Sequence, residues 1–280
     1  MRWLVHLDPV EFEAVAGAHL RAAPLVNQMP LGVLATLRTD PARYPVVRLR
    51  SVSRDGVCVG VLVHTPPWNP TLSAADPDVA ALMGGAYAAE THDLFGVFGQ
   101  EEAAHAFAEA AVTGSGQHAE VEGRMGLFEL RQVNPVPEVP GRMCLADGAH
   151  APLLRAWGEA FHAEAVPHDP PPTADTGVRY ATNGRVYLWL SPEGTPVSFA
   201  AFGREIEGFV SVGPVYTPPE ARGHGYATAL VAAMSRQALA SGRRGCTLFT
   251  DLANPVSNAI YEKIGYRRVG TMARVRFVDG

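Results

Sequence analysis

The spacing of apolar residues along the chain predicts alternating helices and strands. Residues 8–22 open with an Asp-Pro start and place Phe12 and Leu20 on one helical face, which is typical of an amphipathic helix. A second helix is expected after Pro24. It should bend or break at Pro30, because a proline inside a helix removes a backbone hydrogen bond.

The remaining pattern repeats a similar order of elements twice. In the first half, strands are predicted at 46–53, 57–65, 93–99 and 127–133, and helices from Asp76-Pro77 and over 101–112. In the second half, strands are predicted at 141–146, 185–191, 195–203, 208–217, 245–251 and 266–278, and helices within 152–165, after Gly225 and over 254–265.

A proline-rich segment separates the two halves. The stretch "NPVPEVPG", residues 134–141, carries three prolines and has no apolar period. We therefore expect a first domain at 1–134, a linker at 135–141 and a second domain at 142–280. The element order predicts an α/β class in which each domain has a mixed, mostly antiparallel sheet flanked by helices.

Composition narrows the classes of function. The net charge of −5 argues against a nucleic-acid partner, and no apolar run approaches the roughly 20 residues that cross a bilayer. The start does not read as a signal peptide, and the three scattered cysteines fit a reducing compartment, so a cytoplasmic location is expected. The ten histidines show no metal-ligand spacing, and no metal is expected.

The stretch "PPEARGHGYATALV", residues 218–231, predicts an anion site. Two glycines precede a helix whose first N–H groups have no helical partner, and Arg222 adds a positive charge. A plain glycine-rich turn is the alternative. A P-loop would need a Gly-Lys pair, and a dinucleotide fingerprint would need a third glycine where Thr228 stands.

Two motifs resemble the GCN5-related N-acetyltransferase (GNAT) superfamily. The loop matches that family's Arg/Gln-x-x-Gly-x-Gly/Ala signature through Arg222, Gly225 and Ala227. Residues 254–266 match a second signature, in which an asparagine is followed seven residues later by a tyrosine and then by a Gly-aromatic pair. The resemblance covers about residues 141–280 and implies a GNAT-like fold with acetyl-CoA (coenzyme A) as cosubstrate.

The resemblance also implies roles for individual residues. Val215, Tyr216 and Thr217 would pair with the pantetheine arm, and Asn254 and Asn258 would lie beside the lower cofactor arm. The pyrophosphate would bind the amides of the loop, which are those of Gly223, His224, Gly225, Tyr226 and Ala227, with Arg222 close by. A histidine within this loop would lie too far from the acyl group to act as a base.

The expected reaction is direct transfer of an acetyl group to an amine of a small molecule, peptide or protein N-terminus. Tyr261 would protonate the leaving thiolate, and its alternative is a half-buried packing tyrosine. No glutamate lies on the strand before the loop, so Glu207 or Asp251 acting through water are the candidate bases. The rival hypothesis is a catalytically silent acetyl-CoA sensor or scaffold. A homodimer is compatible with both hypotheses.

The first half resembles a degenerate GNAT-like domain. Its equivalent helix start, "SAADPDVAALM", lacks the arginine and both glycines of the second half. We expect the carboxylates of Asp76 and Asp78 to satisfy that helix start and to repel a phosphate. The first domain would then cover one wall of the acceptor cleft without catalysing transfer.

Overall fold

The computed structural model describes residues 1–280 and divides them into two compact units. The first unit holds Met1–Leu127, Asp251–Ala253 and Val269–Gly280, and the second holds Phe128–Thr250 and Asn254–Arg268. These units differ from the predicted domains of 1–134 and 142–280 at the C-terminus, because residues 269–280 belong to the first unit.

The first unit is a mixed sheet with four helices. Its strands are β1 (Arg2–His6), β2 (Arg48–Arg54), β3 (Val57–His64), β4 (Thr71–Leu72), β5 (Gly96–Gln100), the first part of β6 (Gln117–Leu130) and most of β12 (Arg267–Asp279). Its helices are α1 (Pro9–Ala22), α2 (Gln28–Thr39), α3 (Pro77–Ala88) and α4 (Glu101–Val112). The strand order is β1-β2-β3-β4-β5-β12-β6.

The second unit is built on the same plan. Its strands are β7 (Arg142–Leu145), β8 (Val186–Leu190), β9 (Pro196–Ile206), β10 (Phe209–Tyr216), β11 (Gly245–Asp251) and the last residues of β6. Its helices are α5 (Ala151–Ala165), α6 (Thr176–Thr182), α7 (Tyr226–Ala240) and α8 (Pro255–Ile264). The strand order is β6-β11-β10-β9-β8-β7, in which β10 and β11 are parallel and the pairs from β10 to β7 are antiparallel. The predicted mixed, mostly antiparallel α/β class is confirmed.

The expected bend at Pro30 does not occur. Helix α2 begins at Gln28, so Pro30 lies in its first turn, where a backbone N–H would have no helical acceptor in any case. Three elements were not predicted, namely the edge strand β1, the two-residue strand β4 and the short helix α6. The predicted strand at 127–133 is instead the end of the long strand β6.

Strand β12 completes the sheet of the first unit. It pairs antiparallel with β5 from Met272↔Gln100 to Arg276↔Gly96. Met272, Ala273 and Val275 are almost fully buried, and Ala273 and Val275 belong to the hydrophobic core of this unit. The C-terminal strand of the chain is therefore part of the core of the first unit. A single domain boundary at the linker would have assigned this strand to the second domain.

We expect Val275→Ala to lower the free energy of unfolding by about 1–3 kcal/mol, because the substitution leaves a cavity in a packed core. Amide hydrogen exchange should rise first in β5, the strand that Val275 packs beside. Val269→Ala is the control on the same strand, since Val269 is 44% exposed. Equal effects of the two substitutions would contradict this placement of β12.

Candidate acyl-transfer site

Strand β10 separates from β11 part of the way along its length. The parallel ladder between them runs from Phe209↔Gly245 only to Ser211↔Thr247. Pairing with β9 continues to Tyr216↔Phe199, with two irregularities in register. Two residues explain why the pairing of β10 with β11 ends after Ser211. Gly213 takes a φ of +150°, and Pro214 has no backbone N–H that could donate a hydrogen bond to a neighbouring strand. A gap therefore opens beside the second half of β10.

The end of β10 is fixed by side chains. The Ser198 hydroxyl donates to the Tyr216 carbonyl at 3.0 Å, and Thr217 Oγ1 donates to Ser198 Oγ at 2.9 Å. Val215 remains in the ladder opposite Ala200. The three residues predicted to face pantetheine thus form an ordered strand end beside the gap.

The loop after β10 presents a row of amides without protein acceptors. No backbone N–H from Gly223 to Thr228 donates a hydrogen bond within the protein. Gly223 and Gly225 adopt φ values of 82° and 79°, a left-handed conformation that glycine adopts at little cost. Gly225 caps α7 without any side-chain cap, which leaves the positive end of the helix open. The loop therefore has the acceptor-free amides that an anion site requires, and anion binding itself stays a prediction.

The side chains of this loop are held on either side of the amides. The ring of His224 stacks on that of Tyr226, with centroids 5.5 Å apart. Arg222 donates through Nε to the Thr217 carbonyl at 2.9 Å and forms an ion pair with Glu164 of α5. The sequence predicted the arginine but did not indicate Glu164, because that residue lies 58 positions earlier in the chain.

The start of α8 is organised by the signature asparagine. Asn254 is the N-cap, and its Oδ1 accepts from the Ser257 amide at 3.0 Å. Asn258 lies one turn further, and its backbone N–H donates to the Asn254 carbonyl. A capping role accounts for Asn254, while contact of either side chain with a cofactor stays a prediction.

Tyr261 is a buried tyrosine of α8 whose hydroxyl has no hydrogen-bond partner in the protein. It is only 9% exposed, its ring lies 5.9 Å from the ring of Tyr266, and its hydroxyl makes no hydrogen bond within the protein. Burial raises its pKa to about 12. Tyr266 below it is anchored through its hydroxyl to Ser235 at 3.0 Å. Tyr261 therefore keeps its proton at neutral pH and has no protein acceptor for it.

This pKa predicts a specific loss of stability in alkali. The folded state holds the Tyr261 proton up to about pH 12, whereas an unfolded tyrosine releases it near pH 10, so the folded state binds more protons between these values. The contribution of Tyr261 to the free energy of unfolding is fully present below pH 10 and should be lower by about 1 kcal/mol at pH 11. Urea unfolding of wild type and Tyr261→Phe between pH 8 and 11 measures it. Parallel pH profiles would contradict the burial of Tyr261.

The two candidate bases belong to different parts of the chain. Glu207 occupies the turn before β10 with a φ of 50°, and about 13 Å of extended strand separates it from Ser211, where the gap begins. Its neighbour Glu205 is paired with Arg243 at 2.9 Å. Asp251 is exposed, accepts from the Ala253 amide at 2.8 Å and belongs to the first unit. A role of Glu207 or Asp251 as a base through water stays a prediction.

A cavity of about 370 Å³ lies beside the amide loop in the second unit. Its wall is of mixed polarity, includes one carboxylate and is formed by Trp157, Thr195, Pro196, Val197, Pro218, Glu220, Ala221, His224 and Tyr226. The sequence assigned Trp157 only to a helix face. The hairpin residues from Thr195 to Val197 had no functional signal in the sequence.

The equivalent helix start in the first unit is satisfied differently from the prediction. Asp76 is the N-cap of α3 but makes no side-chain cap bond, and Asp78 is paired with Arg54 at 2.8 Å. The loop amide of Ala74 instead donates to Oδ1 of the buried Asn27 at 2.7 Å. The expectation that the Asp76 carboxylate caps this helix start is therefore wrong. Asp78 lies in the first turn of α3 but pairs with Arg54, and Asn27 satisfies an amide of the preceding loop.

Two further observations concern membrane-spanning helices and metal sites. None of the eight helices combines the length and the apolar character that a bilayer span requires. No group of three or more His, Cys, Asp or Glu side chains is arranged to hold a metal ion.

Known structures share this architecture over nearly the whole chain. A GNAT-family acetyltransferase from Colwellia psychrerythraea matches with a TM-score of 0.60 at 10% identity, covering 99% of each chain. A GCN5-related N-acetyltransferase from Sphaerobacter thermophilus matches at 0.66 and 16% identity, covering 99% of this chain and 96% of its own. A tandem GNAT protein from the clavulanic acid biosynthesis pathway matches at 0.54 and 15% identity, covering 99% and 98%. The fold is therefore that of two GNAT-like domains.

The family follows from sequence for the second half. Residues 152–266 match the family model described as the acetyltransferase (GNAT) family. This part of the chain is thus a GNAT domain, and the resemblance that the two motifs indicated is confirmed. No curated protein sequence matches the chain.

Proposed function

We propose that the protein is an N-acetyltransferase that moves an acetyl group from acetyl-CoA directly to an amine. The observation that carries this proposal is the row of acceptor-free amides from Gly223 to Thr228 next to the gap between β10 and β11. A helix N-terminus of this kind binds phosphate groups. The gap leaves one side of a strand open to an extended arm, which can pair with it as a strand would.

The residues divide the work between binding and proton transfer. The amides of Gly223, His224, Gly225, Tyr226 and Ala227 bind the diphosphate, and the unpaired edge of β10 orients the thioester. Free N–H groups on that edge polarise the thioester carbonyl. Acetyl-CoA supplies the activated acetyl group.

Tyr261 supplies the proton. As the amine nitrogen bonds to the carbonyl carbon and the C–S bond breaks, the Tyr261 hydroxyl donates its proton to the sulfur. The amine nitrogen releases one proton to solvent water, and Tyr261 regains a proton from solvent. Its high pKa keeps the hydroxyl protonated for this step. The three cysteines have their pKa raised by burial, which does not favour a thiolate acyl-enzyme and is consistent with direct transfer.

Calorimetry with coenzyme A and a thiol-release assay with a panel of primary amines test the proposal together. We expect binding of coenzyme A and amine-dependent release of thiol from acetyl-CoA. Absence of coenzyme A binding would overturn the proposal. Tight binding without turnover for every amine would favour the silent sensor instead.

A further inference from the structure

Glu164 occupies an unfavourable place for a carboxylate. It lies in the last turn of α5, at the negative end of the helix dipole. Its side chain is about half exposed, yet both oxygens are engaged, which indicates that specific partners hold it there.

Those partners belong to the strand end and the amide loop. Glu164 Oε2 accepts from the Arg222 guanidinium at 2.6 Å, and Oε1 accepts from the Tyr216 hydroxyl at 3.2 Å. The guanidinium carbon lies 5.8 Å from the centre of the Tyr216 ring. Burial, and then the charge of Glu164, raise the pKa of Tyr216. One carboxylate thus connects α5 to both residues that lead into the loop.

The ion pair reduces the net positive charge of the loop. Arg222 is the cation of the loop itself, and Glu164 neutralises it while Nε is bound to the Thr217 carbonyl. A second anion approaching the amides therefore meets a compensated guanidinium and a nearby carboxylate. Like charges within a few ångströms weaken anion binding.

We propose that Glu164 sets the affinity of the loop for the diphosphate of coenzyme A by neutralising Arg222. This inference rests on the proposed function, because it assumes that the loop binds that diphosphate. Glu164 contacts the loop end of β10 and not the gap, so its role is to position and compensate Arg222. Weaker binding of the diphosphate favours release of the product coenzyme A after transfer.

Glu164→Gln is the variant that separates charge from shape, because glutamine keeps the size and can still accept from Tyr216. We expect it to bind coenzyme A about two- to fivefold more tightly, the range that a half-exposed ion pair allows. The gain should shrink at high salt, where charges are screened.

The matched control is Glu159→Gln, which removes a carboxylate of the same helix that pairs only with Arg155. We expect its dissociation constant for coenzyme A to equal that of wild type. Unchanged or weaker binding by Glu164→Gln overturns the inference alone. A gain of the same size at high salt also overturns it. Failure of the wild type to bind coenzyme A overturns the proposed function instead.

Discussion

Replacing Gly225 by alanine is expected to weaken binding of coenzyme A about 10- to 100-fold. Gly225 has a φ of 79°, which costs a residue with a side chain roughly 1–2 kcal/mol, and its added Cβ would lie 3.2 Å from Val139 Cγ2. Relief of this strain rotates the loop and turns amides away from the diphosphate. Loss of one or two hydrogen bonds to a charged group accounts for the expected range. Isothermal titration calorimetry measures it.

Gly242→Ala is the matched control for strain. Gly242 follows the other end of α7 with a φ of 88°, and its added Cβ meets no atom within 4 Å. Both variants should therefore lose a similar amount of stability in thermal unfolding. Only Gly225→Ala should lose affinity for coenzyme A. Equal affinities in the two variants would show that the amide loop does not bind the diphosphate.

Replacing Tyr261 by phenylalanine is expected to lower kcat by about 10²–10⁴-fold, the usual contribution of a general acid. The dissociation constant for coenzyme A should stay unchanged, because the hydroxyl acts on the sulfur during bond breaking. Stability near pH 7 should also stay unchanged, since the hydroxyl makes no hydrogen bond within the protein. Steady-state kinetics and calorimetry on the same preparation separate these quantities.

Tyr187→Phe is the control for removing a tyrosine hydroxyl from the second unit. The Tyr187 hydroxyl lies on β8 and accepts from Gln237 at 2.7 Å, so its loss removes a hydrogen bond on another part of the unit. Its kcat should match that of wild type. If Tyr261→Phe retained full turnover, Tyr261 would be a packing residue and another group would have to protonate the thiolate.

The local elements were predictable because each carries its own signal. The glycine pair before α7, the Asp-Pro starts of α1 and α3 and the Asn-Pro start of α8 all appear in the structure as helix starts. These signals depend on backbone conformation within a few residues, so distant parts of the chain cannot change them much. The short helix α6 was missed because it is held by packing rather than by a strong periodic pattern.

The sequence predicted only those residues of the candidate site that belong to its two motifs. The two signatures located the amide loop and Tyr261, which the structure places in α7 and α8 of the second unit. They could not show that Tyr261 is buried, that Arg222 is paired or that Glu207 lies before β10. Each of these facts depends on which surfaces pack together.

The sequence by itself determined the α/β class, most helix and strand positions and the glycine-rich loop at residues 223–227. It could do so because capping, periodicity and glycine conformation act over a few residues. The tertiary structure alone decided that β12 completes the first unit, that Asn27 satisfies the loop at Ala74 and that Glu164 neutralises Arg222. Strand pairing, buried hydrogen bonds and ion pairs join residues far apart in the chain, and no local pattern records the partner.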